Sequence, residues 1–261
     1  MEIAEQLIAK SMEMPGAYIS REMFLRKALG KYCDEEVLEK AIQTTPALAG
    51  ISSKIITQIA NSEIDKQCKL VTGLSFLAGL PSNPLTMPAT IAADTTQFHF
   101  QTIQIIQKLM YLYGWGDSQK HDKIDDELYA QIIVLLGVAY GVANAQKFAS
   151  KIASRISLQI AQKLPQKALS KNIIFTITKK VLKWVGVKIT KDTFAKGISK
   201  AVPVVSGIVS GGISLVMMKK LTNQLKVYLE STPLANPDMV VDCDNYSEID
   251  DERVLDEMIA E

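Results

Sequence analysis

From Ala89 to Tyr113 the sequence reads ATIAADTTQFHFQTIQIIQKLMYLY, with neither glycine nor proline inside it. A loop carrying Pro81, Pro84 and Pro88 precedes this stretch and Gly114 follows it. Nothing between those breakers interrupts a helix, so the spacing predicts a single helix of roughly 38 Å. Ile91, Thr95, Phe98, Thr102, Ile105, Leu109 and Leu112 recur at helical spacing and mark one face of it. A second row runs Asp94, Gln97, Gln101, Gln104, Lys108 and is uncharged in its middle. Solvent-facing rows usually carry charge, so the amides predict a row that other protein covers; a solvated polar face is the alternative. The rest of the chain is expected to pack around this helix.

The length of 261 residues allows one large domain or two small ones. Hydrophobic residues make up 48% and aromatics 7%, so the core must be aliphatic. The formal charge of +1 hides a lopsided distribution. From Lys147 to Lys200 there are 13 Lys or Arg against one acid, Asp192; from Pro233 to Glu261 there are 10 acids against one base, Arg253. The chain therefore divides into a basic body and an acidic tail. Its three cysteines, Cys33, Cys68 and Cys243, stand far apart in no metal-like spacing, which favours reduced thiols and a cytoplasmic setting. Glu2 and Glu5 occupy the place of a signal peptide's positive region, so no secretory signal is expected.

Local signals predict an all-α protein, a multi-helix bundle with a long central helix and two small-residue packing helices, seven to nine helices in all. Two short helices are expected before Gly30, broken near Pro15-Gly16. Asp34 can cap a helix through Ala41, Thr45-Pro46 starts a turn that Gly50 ends, and Ser52 or Ser53 starts a longer helix. After a polar loop, one helix is expected from about Glu127 to Leu164, with Gly137, Gly141, Ala145, Ala149 and Ala153 four apart on one side. Ser206/Gly207, Ser210/Gly211 and Ser214 form a second small-residue face, and the two rows are expected to pack on each other. Residues 1–232 are read as a single domain, 1–70 a helical cap and 71–232 the core, followed by an acidic flexible tail over 233–261 with a short helix from Asp251 to Ile259.

Motifs for chemistry are sparse. Histidines number two, His99 and His121, and no zinc, P-loop, dinucleotide or nucleophile-elbow pattern occurs. His121-Asp122 lacks the companion ligands of a metal phosphohydrolase. Asp242-x-Asp244 lacks the glycine and closing glutamate of a calcium loop. No metal site, cofactor or catalytic residue is therefore expected. Asp94 is the one charge between Leu70 and Lys108. Buried, it would need a partner, and with Gln97, His99 and Gln101 it is a candidate ligand site; a satisfied acid near a helix start is the structural alternative.

Asn172 to Val187 has the pattern of an interfacial helix. Ile174, Ile177, Val181, Trp184 and Val185 fall on one side, with Lys179, Lys180, Lys183 and Lys188 about it. The alternative is an ordinary bundle helix with a lysine-rich solvent face. Stacking aromatics are nearly absent from the basic stretch, so anionic membrane lipid is a better partner than nucleic acid. Insertion of Gln131–Ala145 and Ala201–Met218 as a hairpin is a further alternative.

Two segments together resemble the EcsC family of bacteria. One is Gly79-Leu80-Pro81 followed by Asp94, Gln97, Ile106, Gln107, Lys108 and Leu112-Tyr113-Gly114-Trp115; the other is Ser199-Lys200 with Val202-Pro203-Val204-Val205-Ser206-Gly207. Gly137, Gly141 and Ala145 fit between them, and the resemblance spans Arg21 to Leu229. Pro81-Ser82-Asn83 stands where the family usually has Pro-Gly-Gly, and Ile91-Ala92-Ala93-Asp94 where a Pro-Ala-Asp-like start is usual. The family is named for a protein encoded beside an ABC transporter. The resemblance implies an α-helical, membrane-associated bacterial protein of unassigned activity, with a membrane transporter or other membrane protein as a partner. The expectation is a non-enzymatic protein held peripherally on the inner face of the membrane. The alternative is a soluble ligand-binding protein or hydrolase with a polar pocket around Asp94.

Overall fold

The structure is a computed structural model that describes residues 2–78, 87–116, 123–162, 174–186 and 206–239, with side chains placed for 6–74, 96–116, 123–162, 174–186 and 212–239. Among the described residues there are nine helices and no strand, so the chain is an all-α multi-helix bundle. The helices are α1 (Glu2–Glu13), α2 (Arg21–Leu29), α3 (Glu35–Gln43), α4 (Ser53–Ala78), α5 (Met87–Leu112), α6 (Asp126–Ala139), α7 (Ala143–Ala161), α8 (174–186) and α9 (Ser206–Glu230).

Helix starts follow the capping signals. Ser20, Asp34 and Asp125 each accept a hydrogen bond from the backbone N–H three residues on, opening α2, α3 and α6. Acids fill the first turns of α3 (Glu35, Glu36) and α6 (Asp126, Glu127), where the helix dipole favours them. Arg21, the first residue of α2, sits against that preference. Its guanidinium is buried and donates to the carbonyls of Ile42, Ala41 (3.3 Å) and Thr44 (2.9 Å), closing the C-terminus of α3.

The long central helix is α5, and none of its residues from Thr96 to Leu112 is exposed. The amide row is covered from two sides. On the α4 side, Gln67 donates to the carbonyl of Gln101 at 3.0 Å and to its side chain, and Lys108 lies 3.2 Å from Glu63. On the other side, Gln104 donates to Gly16 O at 2.8 Å. A neighbouring amide outside that row, Gln107, donates to Ala17 O at 2.6 Å and accepts from Ile19 N at 3.0 Å. These side chains replace the backbone partners that the extended turn between α1 and α2 lacks.

Cross-helix pairs set the directions. Thr57 bonds Glu230 and Asn61 bonds Lys226, so α9 runs antiparallel to α4. Gln67–Gln101 and Glu63–Lys108 make α5 antiparallel to α4 as well. Hence α5 and α9 run the same way and end together, where the Glu230 carboxylate accepts from both Thr57 Oγ1 and Tyr113 OH at 2.9 Å.

Two expectations are corrected. The helix expected over 127–164 is two helices, because Gly141 takes φ +69° and ends α6. Val142 N bonds Gly137 O at 2.9 Å and Gly141 N bonds Val138 O at 2.8 Å, the paired bonds of a Schellman stop. Gly141 is thus a turn residue rather than a packing residue. Among the described residues, Gly137 meets α7 and α8: a Cβ there would lie 2.5 Å from Ala145 Cβ and 2.7 Å from Val181 Cγ1. The small residues let α7 and α8 approach α6, while Gly207 and Gly211 lie outside the residues with placed side chains. Second, a cap ending at residue 70 would cut α4, which packs on both α5 and α9. Packing also continues past 232, since Leu234 is buried in the core and Asn236 Nδ2 donates to Glu230 O at 2.7 Å. The acidic residues beyond Met239 lie outside the described residues.

Candidate functional site

Helix α8 is rich in β-branched residues, which have modest helix propensity, so its packing rather than its local preference must hold it. Ile177, Val181 and Val185, four apart, are all buried. Val181 is the residue that meets Gly137 of α6. Trp184 is partly buried and packs against the same core. The apolar side read from the sequence is therefore spent on the bundle.

The outward side carries another row at the same spacing: Phe175, Lys179 and Lys183, all exposed. Phe175 is 67% exposed, unusually open for a phenylalanine. The Lys179 ammonium lies 5.8 Å from its ring centroid, within cation–π range, so aromatic and cation form one unit. Phe175 stands off the apolar stripe, and the signal for it in the sequence is its four-residue spacing from Lys179 and Lys183. Lys180 is half-buried, and Lys188 lies outside the described residues.

Among the candidate ligand residues with placed side chains, His99 stands apart from Gln97 and Gln101. Gln97 is half-buried and Gln101 is buried. Two residues along a helix are about 200° round its axis. His99 accordingly points away from Gln97, with the Phe98 ring edge-on at a centroid distance of 5.8 Å and the Tyr140 ring tilted at 6.5 Å. Gln101 faces α4 and is engaged by Gln67. The Asp94 side chain lies outside those placed, as do His121 and the Asp242-x-Asp244 pair. Among the described residues, no group of three or more His, Cys, Asp or Glu is arranged to hold a metal ion.

Other ionisable groups serve the fold. Burial pushes the Cys68 thiol up, with Lys219 working against it, and burial beside Asp34 and Glu35 pushes the Cys33 thiol up. Neither is an activated nucleophile. Burial pushes the Tyr113 phenol well above its ordinary value, and the Glu230 carboxylate adds to the effect. Burial pushes Tyr228 up to about 12, opposed by its hydrogen bond with Ser150, 3.3 Å away.

Comparisons with protein-family models, with curated proteins and with solved structures found no match. Among the described residues no helix is long and apolar enough to cross a membrane. Gln131–Ala145, one arm of the hairpin considered above, spans the end of α6, the Gly141 turn and the start of α7. At about 21 Å, α6 is shorter than a roughly 30 Å hydrocarbon core, and each residue from Ala130 to Ala139 is buried in the bundle.

Proposed function

We propose that this chain is a peripheral membrane protein that docks on anionic lipid through the outward face of α8, as its resemblance to the EcsC family implies. The observation that carries the reading is the exposed row Phe175, Lys179, Lys183, set in a stretch with 13 Lys or Arg and one acid. A lysine close to an anionic leaflet contributes on the order of 1 kcal/mol. An exposed aromatic adds a shallow apolar anchor at the headgroup level. The buried stripe Ile177, Val181, Val185 keeps α8 in the bundle, so the contact is electrostatic and salt-sensitive rather than inserted. The reading places the protein on the inner face of a bacterial membrane, non-enzymatic, with a transporter or other membrane protein as its neighbour. Cell fractionation of the Lys179→Glu, Lys183→Glu double variant tests it. The variant is expected to move to the soluble fraction with an unchanged melting temperature; unchanged membrane recovery would count against α8.

A further inference from the structure

Charge on this chain is separated along its length. Between Glu127 and Glu230 there are 16 Lys or Arg and one acid, Asp192. Residues 240–261 hold nine acids and Arg253, a formal −8, so residues 1–239 carry +9 of the total of +1. Two blocks of opposite sign on one chain meet at an effective concentration in the millimolar range. Reach is no obstacle: 22 extended residues span about 75 Å, and a domain of this size has a radius of gyration of about 18 Å.

Where the acids would settle is narrowed by which cations already have partners. Arg26 is held by Glu22, Glu35 and Glu39; Lys66 and Lys108 share Glu63; Lys226 is bound to Asn61. Lys179 and Lys183 are exposed and not ion-paired among the described residues; Lys31, Lys54, Lys69, Lys219 and Lys220 are among others that share that state, but Lys179 and Lys183 stand on one helix row with the exposed Phe175 ring. The acidic segment also carries Val254, Leu255, Met258 and Ile259 at helical spacing, a match for the exposed Phe175 ring. We propose that the acidic segment 240–261 folds back onto the Phe175–Lys179–Lys183 row of α8 and occupies it in the absence of lipid. The segment and an anionic membrane then compete for the same two lysines. That competition rests on the membrane reading above; the intramolecular contact does not.

Zero-length carbodiimide cross-linking of the full chain, followed by peptide mass spectrometry, reads the contact directly. Links are expected between Lys179 or Lys183 and the carboxylates of Glu248 to Glu257, at monomer mass, fading in about 1 M salt. The Glu63–Lys66 pair, 2.6 Å apart, is the internal control. That control link with the segment's links absent, spread over the lysines of α1 to α4, or found only at dimer mass would overturn the proposal. The competition is read with a full chain in which the nine acids are changed to Asn or Gln. This form is expected to bind vesicles containing phosphatidylserine roughly tenfold more tightly than the natural chain, the gain of one to two freed lysines. Equal binding by both forms overturns the competition. Cross-links with no vesicle binding by either form leave the intramolecular contact standing and remove the membrane reading.

Discussion

Gly137 of α6 and Val181 of α8 are in such close contact that a Cβ on the glycine would lie 2.7 Å from Val181 Cγ1. This contact holds the inner stripe of α8 against the core and so turns Phe175, Lys179 and Lys183 outward. The same Cβ would lie 2.5 Å from Ala145 Cβ, so neither neighbouring helix leaves room for it.

Gly137→Ala should therefore destabilise the fold by about 1–3 kcal/mol, the usual cost of overpacking a dense core. Gly212 of α9 is the control, since among the described residues an added Cβ meets nothing within 4 Å there. Gly212→Ala should be neutral or stabilise by up to about 1 kcal/mol, through helix propensity alone. Urea denaturation of the two variants checks the pair.

Gln107 is fully buried and pairs with the backbone on either side of Tyr18. Gln107→Leu keeps much of the volume but strands Ala17 O and Ile19 N. A loss of about 2–3 kcal/mol is expected, with faster amide exchange at Ile19. Unchanged exchange at Ile19 would show that the turn between α1 and α2 does not depend on α5.

Glu63 supplies an acid-side pH dependence. Burial pushes its carboxyl up, but the Lys66 hydrogen bond and the nearby Lys108 outweigh burial and hold it below the usual carboxylate value. A depressed acid stabilises the fold above its unfolded pKa, about 4.3, and that stability is lost as pH falls through the folded value. Melting temperatures of the natural chain and Glu63→Gln should differ at pH 7 and converge by about pH 3.

Tyr228 supplies the alkaline counterpart. Its phenol is pushed up to about 12 by burial. Its stabilisation is complete below the unfolded value near 10 and is lost as pH rises toward 12. Tyr228→Phe should flatten the stability profile above about pH 10, a change that thermal melts across that range would detect.

The helices were legible in the sequence wherever a cap or breaker is local. Asp34, Asp125, Ser52 and Gly114 mark ends that the structure keeps within a residue or two. The central place of α5 was legible because its polar row is amide rather than charged. The break at Gly141 was not, because a glycine four residues from Gly137 fits a small-residue row as well as a left-handed stop. Which face of α8 turns inward was also hidden. Trp184 and the aliphatic residues make an equally good face for lipid or for protein, and only the α6 backbone at Gly137 decides between them. That His99 falls on a different side of α5 from Gln97 and Gln101 was available from helical spacing alone.

The central claim is that the outward face of α8 binds anionic lipid. Flotation of the full-length chain with neutral and with anionic vesicles, at low and high salt, tests it most directly, beside the Lys179→Glu, Lys183→Glu variant. The account predicts binding to anionic vesicles at low salt, release at high salt, no binding to neutral vesicles, and loss of binding in the variant. Failure to float with anionic vesicles at low salt would contradict it, and so would salt-resistant binding that the two substitutions leave unchanged.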